Sequence, residues 1–387
     1  MLLRLISLCA IVFSVSTISA QTQNCLQNVN HPGFNSISQV IGSETILREY
    51  VLYVPSSYNA NTPTPLIISY HGFGGCAADF EAYVGVDMGL NTLADQEQFI
   101  VAYAQGAYRP EKEDTYWEPG DTGVENIYEN DIYFTAQLIQ DIAGSYNIDT
   151  DRVYTAGYSN GGMMSYSVAC NRGDLIAGAA VMSGAFIDGD CVDDVYTPII
   201  IFHGVGDFIL PYDGNQFYQS LAETVDYWLG HNGIPTSSLV STQLNGNNVV
   251  RESYSGGNDN TCLTFYTINE EYGSAGGHVW FSEEINGSTP NEILWNFFSS
   301  NCSLVNTDQA DELRTNLSIS PNPFLDQLTI SGENIKGKSY KVFNSLGEQV
   351  QSGSIDSDEF LLKMDPLSVG IYIFEVDGAT YRIIRMQ

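Results

Sequence analysis

Two hydrophobic rhythms alternate between residues 48 and 298. Short apolar runs recur at Pro65–Tyr70, Phe99–Tyr103, Arg152–Ala156, Ala177–Met182, Pro198–Phe202 and Thr261–Ile268. Such runs, apolar at successive positions and ended by turn formers, predict strands buried on both faces. Arg48–Val54 alternates instead and stops at Pro55, which predicts a half-covered strand. Between them lie segments with helical spacing. Ile132, Thr135, Leu138, Ile139 and Ile142 recur on one face of Asp131–Tyr146, and Gly161–Cys170, Phe217–Leu229 and Asn291–Phe298 predict three more helices. Strands separated by helices predict an α/β domain with a mostly parallel central sheet covered on both faces.

The rhythm changes after a polar stretch at Thr307–Thr315. Leu317–Ser320, Gln327–Ser331, Ser339–Asn344, Gly370–Val376 and Tyr381–Arg385 alternate and are separated by Gly, Asn and Asp turns. They predict a small antiparallel β-sandwich. At the other end, Arg4 precedes an apolar run, Leu5–Ser16, too short to span a bilayer, and Ala20 offers a small residue for cleavage. That is the pattern of an export signal. The expected division is a signal peptide at 1–20, an extension at 21–44, the α/β domain at 45–304, a linker at 305–315 and the sandwich at 316–387. No later stretch approaches the ~20 apolar residues of a spanning helix, so no stable membrane span is expected.

Composition adds three constraints. The chain has 387 residues, 43% of them hydrophobic, enough for a large core. Its 14 basic residues face 46 acidic ones, and residues 21–312 hold 6 and 37 of them, whereas 313–387 hold 7 and 9. An acidic large domain is unsuited to nucleic acid, which requires a basic footprint; the acidity reads as a solvated surface. With Cys9 in the signal, six cysteines remain, and an exported chain with an even count predicts disulfides. Six allow fifteen connectivities. The favoured pairs are Cys170 with Cys191, which flank one turn-and-strand unit, and Cys262 with Cys302. No CxxC pair or Cys/His cluster is present, so neither a metal nor another cofactor is expected.

Gly157-Tyr-Ser159-Asn-Gly161 matches G-x-S-x-G, with an apolar strand running in and a helix beginning directly after. That context predicts a nucleophilic Ser159 on a sharp strand-to-helix bend. A serine needs a base, and there are five histidines. His31 precedes the sheet, His71 and His203 close apolar strands before a glycine, and His231 ends a predicted helix. His278 lies in the glycine-rich stretch after the last strand of the domain, where the order Ser…Asp…His places the base. Asp207, just beyond the strand 198–202, is the expected acid, with Asp213 as the alternative. An oxyanion needs two backbone donors. Asn160, after the nucleophile, is one candidate, and Phe73 in His71-Gly-Phe-Gly-Gly75 is the other. Trp117 and Tyr158 are candidate substrate contacts, since an aromatic ring there would stack on a planar group.

These stretches carry a family resemblance. REYVLYVPSSY (48–58), HGFGG (71–75), GYSNGGMMSYSVAC (157–170), HGVGDFILPYDG (203–214) and GGHVW (276–280) stand in order over about residues 45–300. Together they resemble the polyhydroxybutyrate-depolymerase-like and feruloyl-esterase-like α/β-hydrolases related to carbohydrate esterase family 1. The resemblance implies a Ser159–Asp207–His278 triad and an ester substrate, whether polyester oligomers or feruloyl or acetyl esters of plant polysaccharide. ISPNPF (319–324), YKVFNSLGEQV (340–350) and LSVGIYIFEVDG (367–378) resemble the type IX secretion sorting domain of Bacteroidota. That implies the type IX machinery as a partner and a secreted or cell-surface location. The competing expectations are a serine peptidase with the same triad and a surface binding protein without activity.

Overall fold

The computed structural model describes residues 25, 33–41, 44–109, 112–119, 131–187, 191–192, 194–269, 277–300, 302, 318–321, 324–332, 335–344, 349–364, 367–368, 370–376 and 379–385. The expected signal peptide, the linker and His31 lie outside them. The chain divides into two compact units, Met1–Cys302 and Ser303–Gln387.

In the large unit the first strands are β1 (Asn35–Ile41), β2 (Glu44–Tyr53), β3 (Thr64–Tyr70) and β4 (Ile100–Ala104). A small separate hairpin follows, β5 (Ala107–Arg109) with β6 (Asp114–Tyr116). Then come β7 (Ile148–Tyr158), β8 (Gly178–Met182), β9 (Ile199–Gly204), β10 (Val240–Leu244), β11 (Val249–Ser255) and β12 (Cys262–Ile268). Ten of these form one sheet in the order β1-β2-β4-β3-β7-β8-β9-β12-β11-β10. The six from β4 to β12 are parallel, and antiparallel pairs extend both edges.

Side-chain alternation divides the core between the two faces of the sheet. Leu66, Ile68, Ile100, Val153, Ala179 and Ile201 pack on one face, under α3 (Asp131–Ser145), α4 (Asn160–Arg172) and α5 (Leu221–His231). Those three helices follow α1 (Ala77–Phe80) and α2 (Leu90–Glu97), which cover the other face with α6 (Pro290–Ser299). Ile67, Val101, Tyr154, Ala180 and Phe202 pack there. This explains the unbroken apolar runs: β3, β4, β8 and β9 are buried at every position.

Several elements depart from expectation. The sheet begins inside the segment taken as an extension, because β1 pairs with β2 along the edge. The helix expected at Phe217 starts at Leu221. Phe217 and Tyr218 donate their N–H groups to Asn215 Oδ1 in a turn, and Ser220 with Glu223 forms the capping box that opens the helix. The β10–β11 hairpin and α2 were not predicted. Disulfides join Cys25 to Cys76, Cys170 to Cys191 and Cys262 to Cys302.

One buried ion cluster ties distant segments together. Arg48 of β2 and Arg109 of β5 both reach Asp131, the first residue of α3, at 2.6 and 3.0 Å. All three are sealed from solvent. Burial lowers the Arg48 pKa and the Asp131 charge opposes that shift.

The small unit pairs a three-stranded sheet with a four-stranded one. β13 (Ser318–Ser320), β14 (Gln327–Ser331) and β17 (Glu359–Lys363) form the first. The second runs β16 (Gln349–Ser354), β15 (Ser339–Asn344), β18 (Gly370–Val376) and β19 (Ala379–Arg385), all antiparallel. Leu328, Ile330 and Leu362 from one sheet and Val342, Phe374 and Val376 from the other share one core.

Removing the shared carboxylate tests the ion cluster. Asp131→Ala leaves two buried guanidinium groups without a counter-charge and is expected to lower the unfolding free energy by about 3–5 kcal/mol, read by urea denaturation. An unchanged midpoint would show that the arginines find other partners.

Candidate active site

The carboxyl ends of β3, β7, β9 and β12 lie along one edge of the parallel sheet, with β8 between β7 and β9, and the chain leaving each of the four carries a residue of the candidate site. In open α/β sheets this edge is where ligands bind. β7 ends at Tyr158, and α4 begins at Asn160, so Ser159 alone makes the bend. Its backbone has φ 56 and ψ −120, a conformation costly for a side-chain-bearing residue. Its N–H donates to Met182 O of β8 and its carbonyl accepts from Met163 N–H, which fixes the bend at both ends. Gly157 and Gly161 make the bend passable. A Cβ on Gly157 would run into the Gly161 carbonyl, and one on Gly161 into the carbonyls of Tyr70 and His71.

His278 Nε2 stands 2.7 Å from Ser159 Oγ, and its Nδ1 stands 2.8 Å from Asp207 Oδ2. Asp207 is buried. Its other oxygen accepts the N–H groups of Ile209 and Leu210 at 2.9 and 2.8 Å. Burial by itself raises a carboxylic acid's pKa, but the hydrogen bonds from His278 and Leu210 outweigh it and hold Asp207 below its ordinary value. A carboxylate so held makes His278 Nδ1 the protonated nitrogen, leaving Nε2 free to accept a proton from the serine hydroxyl. Although residues 270–276 lie outside the described chain, two clamps fix His278 from behind. Tyr158 donates its hydroxyl to the His278 carbonyl at 3.0 Å, and Ser183 donates to the Val279 carbonyl at 2.9 Å. Burial pushes the Tyr158 phenol up to about 12, so it stays a donor.

The other described histidines are scaffold. His71 is sealed in the core; its Nε2 accepts the Gly106 N–H at 2.9 Å, so Nδ1 is the donor to Gly72 O. His203 Nε2 donates to Leu210 O at 2.8 Å and braces the loop that carries Asp207. His231 contacts Val195 O at 2.9 Å. Asp213, the alternative acid, is exposed in a tight turn closed by Gly214 N–H on Pro211 O.

The loop after β3 passes beside Ser159: a Cβ on Gly72 would lie 3.3 Å from Ser159 Cβ. The Phe73 N–H makes no hydrogen bond with another described residue, and its ring is 55% exposed and stacked on Tyr116 at 5.6 Å. Asn160, as the first residue of α4, has no carbonyl one turn earlier for its N–H. Trp117 requires a correction. Expected among substrate contacts, it is 0% exposed, its indole donating to His71 O at 2.8 Å beneath the loop. Its ring packs against Tyr70 and Phe134, so it supports the site from the core. Ser183 escaped sequence reasoning, because a Ser-Gly pair at a strand end carries no sign of which carbonyl it will meet. Among the described residues no group of His, Cys, Asp and Glu is placed to hold a metal ion.

A parallel sheet with these loops at its carboxyl edge defines an α/β-hydrolase. Residues 43–192 match the family described as "Putative esterase", and residues 318–386 match "Secretion system C-terminal sorting domain". "Probable feruloyl esterase C" of Aspergillus oryzae is 31% identical over 223 residues, which cover 55% of this chain and 76% of that protein. The protein of the same name from Aspergillus niger is 26% identical over 301 residues, covering 74% and 97%. The chain belongs to this esterase family, and it is a carboxylic ester hydrolase with a C-terminal sorting domain. Among solved structures, acetyl xylan esterase from Aspergillus awamori superposes with a TM-score of 0.47 at 18% identity, covering 69% of this chain and 98% of that one.

The buried histidine beside the site makes stability depend on pH. Desolvation lowers the His71 pKa from 6.5 to about 4, partly offset by its bond to Gly72. Between those values the unfolded chain binds a proton that the folded chain refuses, so stability falls as pH drops through this window, by up to roughly 3 kcal/mol. His203 is shifted in the same direction, again chiefly by burial. Urea unfolding at pH 7, 5.5 and 4.5 is expected to show this loss, with a shallower slope in His71→Gln. Equal slopes would reject the assignment to His71.

Proposed function

We propose that the protein is an exported serine esterase that cleaves feruloyl esters of plant polysaccharide. Ser159 is its nucleophile, His278 its general base and acid, and Asp207 the group that orients the imidazole. The observation that carries this reading is the unbroken chain from Asp207 Oδ2 through His278 to Ser159 Oγ, at 2.8 and 2.7 Å. In the reaction, Ser159 Oγ bonds to the ester carbonyl carbon while its proton passes to His278 Nε2. The N–H groups of Phe73 and Asn160 receive the oxyanion. When the intermediate collapses, the C–O bond to the sugar breaks and the alcohol leaves with the proton from His278. Water then attacks the acyl-enzyme by the same route and releases the acid.

The names of the two fungal relatives favour the feruloyl group as the acyl part. The rim of the site is suited to an aromatic acyl chain. Phe73 stands exposed on the oxyanion side, and Phe208 (81% exposed) and Ile209 follow the acid directly. Tyr158 takes the place of a wall beside His278, its ring 5.2 Å from the imidazole. Export rests on the N-terminal apolar segment 1–20, the sorting domain and the disulfides, which persist in oxidising compartments. The type IX machinery is the partner of that domain, and the cell surface or medium is the destination.

Ser159→Ala is expected to lower kcat/KM for methyl ferulate by at least about 10³-fold without changing the melting temperature by more than a few degrees. The wild-type chain is expected to turn over methyl ferulate faster than p-nitrophenyl acetate or 3-hydroxybutyrate oligomers. Preference for either competitor would transfer the substrate class to it, and undiminished activity of the variant would reject the nucleophile.

A further inference from the structure

The two oxyanion donors assigned above come from different parts of the chain, the loop after β3 and the start of α4, and the β3–β7 pairing that brings these elements together ends at Tyr70 and Gly157, short of both donors. A third segment spans the gap between the two. On one side, the Thr115 carbonyl accepts the Gly74 N–H at 2.7 Å and its hydroxyl donates to the Gly75 carbonyl at 2.6 Å. The Trp117 indole holds the His71 carbonyl at 2.8 Å. On the other side, Trp117 and Asn160 are joined reciprocally. The Trp117 N–H donates to Asn160 Oδ1 at 2.7 Å, and Asn160 Nδ2 donates to the Trp117 carbonyl at 3.0 Å. The same segment is anchored in the core, because Asp131 accepts both Arg109 at 3.0 Å and the Glu118 N–H at 2.8 Å.

We propose that the β6 strand and Trp117 act as a cross-brace that fixes the distance between the Phe73 and Asn160 N–H groups, with Asn160's side chain and Thr115 as positioning residues for the oxyanion hole. A hole works only if its donors are aimed in advance at the place the oxyanion will occupy. Asn160 therefore has two separable parts: its backbone N–H meets the oxyanion, and its side-chain amide locks that N–H to the brace. Thr115 touches no substrate and acts through Gly74 and Gly75. The inference rests on the reading of Phe73 and Asn160 under Proposed function.

The test uses paired substrates on the full chain. A thionoester replaces the carbonyl oxygen by sulfur, a poor hydrogen-bond acceptor, so it gains little from an oxyanion hole. Asn160→Ala is expected to lower kcat for the ordinary ester by about 10²-fold, the scale of an ångström-sized misplacement, with KM nearly unchanged. Its loss on the matching thionoester is expected to be at least about tenfold smaller. Thr115→Val, close to isosteric, is expected to shift the ratio the same way by a smaller factor. It carries the test alone if Asn160→Ala fails to fold by near-ultraviolet circular dichroism. Equal losses on both substrates, a raised KM at constant kcat, or wild-type rates overturn the brace. Ser159→Ala is run in parallel: if it retains turnover, the reading of the site has failed, whereas an inactive Ser159→Ala beside a fully active Asn160→Ala rejects the brace only.

Discussion

The large unit is organised around one close approach, that of helix α4 to the ends of strands β7 and β3. Where they meet, neither Gly157 nor Gly161 has room for a methyl group, because the Gly161, Tyr70 and His71 carbonyls fill the space. This contact forces the chain to turn within a single residue and leaves Ser159 at positive φ, its hydroxyl projecting over the sheet edge. The strain, of order 1–3 kcal/mol, is held by the buried sheet below and by hydrogen bonds at both ends of the bend. Met182, at the end of β8, supplies one of those bonds, so packing between neighbouring parallel strands reaches Ser159 directly.

Burial and steric fit also decide which elements are legible in the sequence and which are not. β3, β8 and β9 were legible because burial on both faces leaves no polar position to blur the run. The bend at Ser159 was legible because its glycines are steric requirements with fixed spacing. His278 and Asp207 were singled out by chain order, and the structure places both within hydrogen-bonding reach of one another. By contrast, β10 is largely exposed, so its polar sequence Val-Ser-Thr-Gln-Leu gave no apolar signal. β1 is an edge strand whose buried Gln39 serves Arg48. Trp117 was misread for a related reason: an aromatic residue in a loop has the same appearance in sequence whether it faces a substrate or the core. The residues that decide between those fates are distant in sequence: Asn160 meets the Trp117 backbone through its side-chain amide, and His71 meets the indole through its carbonyl.

Charge has two roles that must be kept apart. Of the six basic residues between 21 and 312, Arg48 and Arg109 are spent inside on one carboxylate, leaving Lys112, Arg152, Arg172 and Arg251 against the acidic residues outside. The buried carboxylates Glu49, Asp131 and Asp207 offset those two arginines, so nearly all of the net negative charge lies on the surface. At physiological salt such a field decays over about 8 Å, so it governs solubility more than recognition. Beside the site residues in sequence the exposed groups are of another kind: Phe73 lies two residues beyond His71, and Phe208 and Ile209 follow Asp207. Large apolar side chains left in water favour the approach of an uncharged group, at about 25 cal/mol per Å² of apolar surface covered. On the function proposed above, the ester is held at this edge by apolar contact, and the polar groups of the site serve the reacting carbonyl.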